Sequence, residues 1–150
     1  MNYEIKAPEG RFEDGIFIFP ARVYYEDTDA GGVVYYANYL KYAERARTEF
    51  IRALGFGQQA VLEEDRCGFM VRSLNIEYKA PAVLDDLLSV TCALIEMKGA
   101  GAEMRQEIRR SETLLAIVGV KLAYVSLTKK RPVRLPAALI EKVANLSKRR

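Results

Sequence analysis

The chain has 150 residues, 50% of them apolar and 29% charged, and 23 basic against 20 acidic side chains leave a net charge of only +3. That describes one globular domain, residues 1–150, large enough to bury a core without disulfides. Histidine is absent, which excludes Ser-His-Asp and Cys-His catalytic pairs and the H-E-x-x-H zinc site, and two separated cysteines, Cys67 and Cys92, cannot build a structural zinc site.

Residues 1–15, with Pro8 and two glycines, read as a loose polar lead-in without the apolar core of a signal peptide. No apolar run reaches membrane-spanning length. Unpaired cysteines in unrelated contexts then suggest a reduced, cytoplasmic protein. From Ile16 to Glu26 the β-branched and aromatic content predicts a strand, with Pro20 marking an edge or bulge. Val23 and Tyr25 fall on one side of it, Arg22 and Tyr24 on the other.

A helix is expected from Asn38, as N-cap, to Leu54, because Tyr39, Ala43, Ala46, Phe50 and Leu54 recur along one apolar stripe. Ala43 and Ala46 are small enough to let a sheet approach closely. Lys41, Arg45, Glu49 and Arg52 form the polar side, with Arg45 and Glu49 spaced as an ion pair, and Gly55 is the stop signal. A shorter helix is predicted from Gln58 to Arg66. Four strands follow, over residues 70–78, 87–97, 102–110 and 114–127; the last is apolar on both sides apart from Lys121, as a central strand should be. A terminal helix is expected over residues 137–148, and the last stretch is basic, with Lys129, Lys130, Arg131, Arg134, Lys148, Arg149 and Arg150, but lacks the interleaved aromatics of a nucleic-acid site. At most it offers a weak attraction to an acidic partner or a membrane surface. The class is therefore α+β, a curled antiparallel sheet of about five strands wrapped around one long central helix. The open face or edge of such a sheet calls for a second copy.

Between the first strand and the long helix runs Glu26-Asp27-Thr28-Asp29-Ala30-Gly31-Gly32. Paired glycines mark backbone at positive φ or in close approach, and the helix start beyond them offers unpaired N–H groups and a partial positive charge, suited to an anion or a developing oxyanion. Taken alone, the same run fits a polar loop whose Asp side chains cap backbone N–H groups. Asp27 and Glu26 read as capping residues, and Asp85 and Asp86 as the opening of a strand.

The run Arg22-Val-Tyr-Tyr-Glu-Asp-Thr-Asp-Ala-Gly-Gly-Val-Val-Tyr35, with Asn38-Tyr39, Glu44-Arg45-Ala46-Arg47-Thr48-Glu49, Tyr78-Lys79-Ala80-Pro81-Ala82 and Leu84-Asp85-Asp86, resembles the hotdog-fold acyl-CoA thioesterases of the 4-hydroxybenzoyl-CoA thioesterase type, most of all their Tol-Pal-associated branch. The resemblance covers residues 21–135. It implies hydrolysis of acyl-CoA without metal or organic cofactor by a homodimer or homotetramer. It also implies Asp29 as the catalytic carboxylate, nucleophile or general base, and the Tyr36 backbone N–H, with Tyr35 and Gly32 beside it, as the carbonyl-polarising element. Lys98 lies near a position that holds coenzyme A phosphates in the family, and Arg72, in mid-strand, is a further candidate. An acyl carrier protein is a possible alternative carrier, and a module that binds acyl-CoA without hydrolysing it is the alternative function. In one respect the chain departs from the branch: Tyr36 stands where His is usual, so a backbone donor is retained and an imidazole role is not.

Overall fold

The computed structural model describes residues 1–147; of the predicted basic stretch, residues 148–150 lie outside the described residues. In chain order the elements are β1 (Arg11–Glu13), β2 (Ile16–Arg22), a 3-10 turn (Tyr25–Asp27), α1 (Asn38–Ala53), α2 (Gln58–Asp65), β3 (Cys67–Tyr78), β4 (Leu87–Lys98), β5 (Gly101–Arg110), β6 (Thr113–Ser126), β7 (Arg131–Pro132) and α3 (Ala137–Ser147). Every strand pairing is antiparallel, and the sheet runs β1-β2-β4-β5-β6-β3 with β7 added on β6.

The predicted apolar stripe of α1 is the seam by which the helix packs on the sheet. Tyr39, Ala43, Ala46, Phe50 and Leu54 are all buried, together with Phe17, Leu88, Val90, Ile108, Val118 and Val120 from the strands. The two alanines let the helix axis come close. There, the fully buried Gln106 donates to the Ala43 carbonyl at 2.9 Å and accepts from Arg47 at 2.9 Å, tying helix to sheet. Gly55 ends the helix at φ +89°, and its N–H caps the Arg52 carbonyl at 2.9 Å. β6 lies between β5 and β3, as its apolar faces predicted.

Several expectations are corrected. Among the described residues the sheet has seven strands rather than about five, while the three predicted helices are all present and α1 is the longest of them. The lead-in is not wholly loose, because Arg11–Glu13 pairs with Ile16–Ile18. The strand predicted to reach Glu26 stops at Arg22, where its partner β4 begins at Leu87; Val23, bonded to Asp85 and Asp86, is buried, and the 3-10 turn that follows leaves Tyr25 exposed. Asn38 lies inside the first helical turn and Ala37 is the capping residue, because the Asn38 amide is engaged elsewhere. Glu49 pairs with Arg52, three residues on, rather than with Arg45.

One edge of the sheet is unusual. β3 has 12 residues, is paired on one side only, and carries Met70, Val71, Leu74 and Tyr78 as exposed apolar side chains. Its outer backbone groups have no strand partner among the described residues.

Candidate active site

The acidic run folds as a small closed loop. Thr28 and Val34 form an isolated antiparallel bridge, the Asp29 N–H donates to Val33 O at 2.9 Å, and the Gly32 N–H donates back to Asp29 O at 3.0 Å. Gly32 sits at φ +80°, a conformation other residues adopt only at a cost. The Asp29 side chain folds over Gly31: Oδ1 accepts the Gly31 N–H at 2.8 Å and would stand 3.1 Å from an added Cβ, so a larger residue would push the carboxylate slightly aside. Asp29 is exposed in the single chain, with one carboxylate oxygen held by this bond.

Asp27 does the capping. It is buried, and its Oδ2 accepts the Tyr24 N–H at 2.8 Å. Its main-chain oxygen receives both the Tyr35 N–H and the Asn38 side-chain amide, each at 2.9 Å, and so joins the loop to the start of α1. Burial, with the Asp27 carboxylate nearby, keeps the phenol of the fully buried Tyr42 protonated.

Helical geometry begins before Asn38. The Asn38 N–H closes a turn on Tyr35 O at 2.8 Å, and the Leu40 N–H a second on Ala37 O at 3.2 Å. Tyr36 and Ala37 thus form the turn that leads into α1, with their N–H groups beside the positive end of the helix. Neither N–H has an acceptor among the described residues. Beside them is an open cleft of 310 Å³, lined by Val34, Tyr36, Tyr39, Tyr78, Lys79, Ala80 and Pro81. Its far wall is strapped to the helix: the Ala82 N–H donates to the Tyr39 hydroxyl at 3.0 Å, and Ala82 O accepts the Val34 N–H at 2.9 Å. The Tyr35 ring packs on Tyr36 with centroids 4.7 Å apart. The Tyr36 hydroxyl, and to a smaller degree the Asp29 carboxylate, hold the Tyr35 phenol above its usual pKa.

The other two predicted residues lie elsewhere. Asp29 follows the end of β2 that pairs with Leu87, whereas Lys98 is at the opposite end of β4, which places it roughly 35 Å along the strand. Arg72 is the residue skipped by the register shift between Val71 and Ser73, a bulge in β3. Arg72, Lys98 and Lys121 line one groove of 420 Å³ with Glu96 and Glu103; Lys98 is held there by Glu96 at 2.8 Å. Sequence reasoning missed Ala37 as a second free donor and Tyr78 as a cleft residue. Only the Tyr78-to-Ala82 run hinted at the latter.

A single long helix seated on an antiparallel sheet, with an acidic loop and free N–H groups at the helix's positive end, defines a hotdog domain. The chain belongs to the thioesterase-like superfamily, whose family model matches residues 23–143. It is similar to the acyl-CoA thioesterase YbgC of Haemophilus influenzae, with 51% identity over 123 residues, 82% of this chain and 90% of that one. It is also similar to the acyl-CoA thioester hydrolase YbgC of Escherichia coli O6:H1, at 45% over 126 residues, covering 83% and 93% of the two chains. Among solved structures, a probable thioesterase from Bartonella henselae superposes with a TM-score of 0.77 at 36% identity, over 81% of this chain and 99% of the other. No helix among the described residues is long and apolar enough to cross a membrane.

Proposed function

We propose that this acyl-CoA thioester hydrolase works through Asp29, as nucleophile or general base, with the thioester oxygen held by the Tyr36 N–H at the positive end of α1. The observation that carries the reading is the pair of unpartnered N–H groups, Tyr36 and Ala37, placed next to a cleft and directly after the loop that presents Asp29. Attack on the thioester carbon moves negative charge onto the carbonyl oxygen. Fixed donors at that point stabilise the charge without reorganising, and one such donor is commonly worth about 3 kcal/mol. With Asp29 as general base the attacking group is the water it activates, and expulsion of the coenzyme A thiolate gives the acid directly; with Asp29 as nucleophile the thiolate leaves an Asp29 mixed anhydride, which water then opens.

The working form in this reading is a homo-oligomer in which residues 1–150 act as one domain. An exposed Asp29 is what a site shared between copies leaves on one chain. Antiparallel pairing of two β3 edges would bury Met70, Val71 and Leu74, and would set the start of one β3 beside Tyr78 of its partner. Arg72 and Lys98, distant from Asp29 within one chain, then serve coenzyme A phosphates of a neighbouring site, and Tyr35 and Gly32 shape the loop around the acyl carbonyl.

Thiol release from a panel of acyl-CoAs, run on wild type and Asp29→Asn in parallel, tests the reading. Turnover by wild type and its near-abolition in the variant are expected. If no acyl-CoA is cleaved, a substrate on acyl carrier protein or a non-catalytic acyl-CoA-binding module replaces the present reading.

A further inference from the structure

Tyr78 ends β3, and its hydroxyl donates to the Tyr36 main-chain oxygen at 2.6 Å. This bond joins residues 42 positions apart. It also takes the place of the bond that a regular helix would make, since Tyr36 O accepts no backbone N–H among the described residues. The consequence follows from the planarity of the peptide group. The carbonyl of Tyr36 and the N–H of Ala37 belong to one rigid unit, so a donor that fixes the first also aims the second. The preceding unit is held in the same way, with Tyr35 O bound by the Asn38 N–H at 2.8 Å and the Tyr36 N–H left free. Two successive peptide planes at the mouth of α1 therefore have their oxygens tied back and their N–H groups directed outward. The two ties differ: one is backbone and belongs to the helix, the other is a single phenol on a neighbouring strand.

We propose that Tyr78 is a positioning residue for thioester hydrolysis: by holding the Tyr36 carbonyl it aligns the Ala37 N–H as a second donor to the oxyanion, beside that of Tyr36. This rests on the thioesterase reading above and adds to it a two-donor pocket whose second donor depends on one hydroxyl. Polarisation acts in the same direction, because a carbonyl that accepts a hydrogen bond makes the N–H of its own peptide a stronger donor. The Tyr78 ring is placed independently of its hydroxyl, packing edge-on against Tyr39 with centroids 5.3 Å apart at 75°. Burial, followed by the neighbouring Tyr39 and Tyr36, raises its phenol above the ordinary value, so it stays protonated and able to donate through the neutral range.

Tyr78→Phe keeps the ring and removes only the donor. With the acyl-CoA that wild type cleaves best, kcat should fall about 10- to 100-fold, less than deletion of a whole oxyanion donor, while KM stays within about twofold and the pH–rate profile keeps its shape, as expected when only transition-state stabilisation is lost. A second measurement needs no variant. A non-hydrolysable ketone analogue of that acyl-CoA, with methylene in place of the thioester sulfur and carbon-13 at the carbonyl, should move the Ala37 amide proton downfield on binding to wild type. In the variant, the bound carbonyl resonance should shift back toward that of the free analogue. Unchanged kcat in Tyr78→Phe, a change confined to KM, loss of one limb of the pH profile, or an Ala37 amide indifferent to the analogue would each overturn the assignment while leaving the thioesterase reading in place. A wild type that cleaves no acyl-CoA would remove both.

Discussion

The side-chain amide of Asn38 donates to the main-chain oxygen of Asp27 at 2.9 Å, within the buried seam between the acidic loop and the long helix. The same oxygen accepts the Tyr35 N–H, so one carbonyl fixes where the loop ends and the helix begins. Asn38→Ala removes a buried bond and should cost about 1–2 kcal/mol, seen as a lower Tm. Because Tyr36 hangs from this joint, kcat should fall by more than the stability loss alone would cause at a temperature where the variant is folded. A variant with reduced Tm but normal kcat would show the joint to be purely structural.

Asp29→Asn tests the carboxylate with little disturbance of the loop, since the amide oxygen can still accept the Gly31 N–H. The exposed position predicts an unchanged Tm. Turnover should drop by about 10²–10⁴, the usual contribution of a positioned base. Steady-state thiol release decides it, and near-normal turnover would remove Asp29 from the mechanism.

Tyr36 separates side chain from backbone. Tyr36→Phe should be mild, within a fewfold, because the proposed donor is the main-chain N–H. Tyr36→Pro abolishes that N–H at the second residue of the turn closed by Tyr35 O and Asn38 N–H, a position that suits proline. Compared with Tyr36→Ala, it should lose a further ~10²-fold in kcat. Equal rates for the Ala and Pro variants would place the oxyanion elsewhere.

Acid stability should turn on two carboxylates. Asp86 is disfavoured as an ion by burial, but the Val83 N–H and the Arg110 guanidinium at 2.7 Å outweigh this and hold its pKa below the ordinary value. Arg109 above all, and Arg105, do the same for Glu107 against its partial burial. A depressed folded-state pKa means stability that is fully present above the unfolded-state value, about 4, and lost as pH falls through the folded-state value. Urea midpoints should therefore hold steady down to about pH 4–5 and decline below, with a smaller acid-induced decline in Asp86→Asn. An identical decline in that variant would acquit Asp86.

The two cysteines should differ in reactivity. Cys92 is fully buried and burial pushes its thiol up to about 12, whereas Cys67 is half-buried at the start of β3. Alkylation of the native protein at neutral pH should label Cys67 and spare Cys92 until denaturant is added, as peptide mass mapping would read. Early labelling of Cys92 would mean that the β4 core opens readily.

What the sequence determined by itself was the periodic and the local. The stripe from Tyr39 to Leu54, the Gly55 stop and the strand runs were legible because burial on one face imposes a repeat that needs no knowledge of the partner. The acidic loop with its two glycines was legible for the same kind of reason, since turn chemistry is confined to a few adjacent residues. Tertiary structure decided the rest, wherever a residue's role depends on a group far along the chain. Arg22 ends its strand because β4 begins opposite it, Asn38 forgoes capping for Asp27 O, Lys98 is carried a full strand length from Asp29, and Tyr78 reaches back 42 residues to Tyr36 O. Hydrogen bonds between distant residues leave no periodic trace. They are specified only when the sheet sets its register and the helix is seated against it.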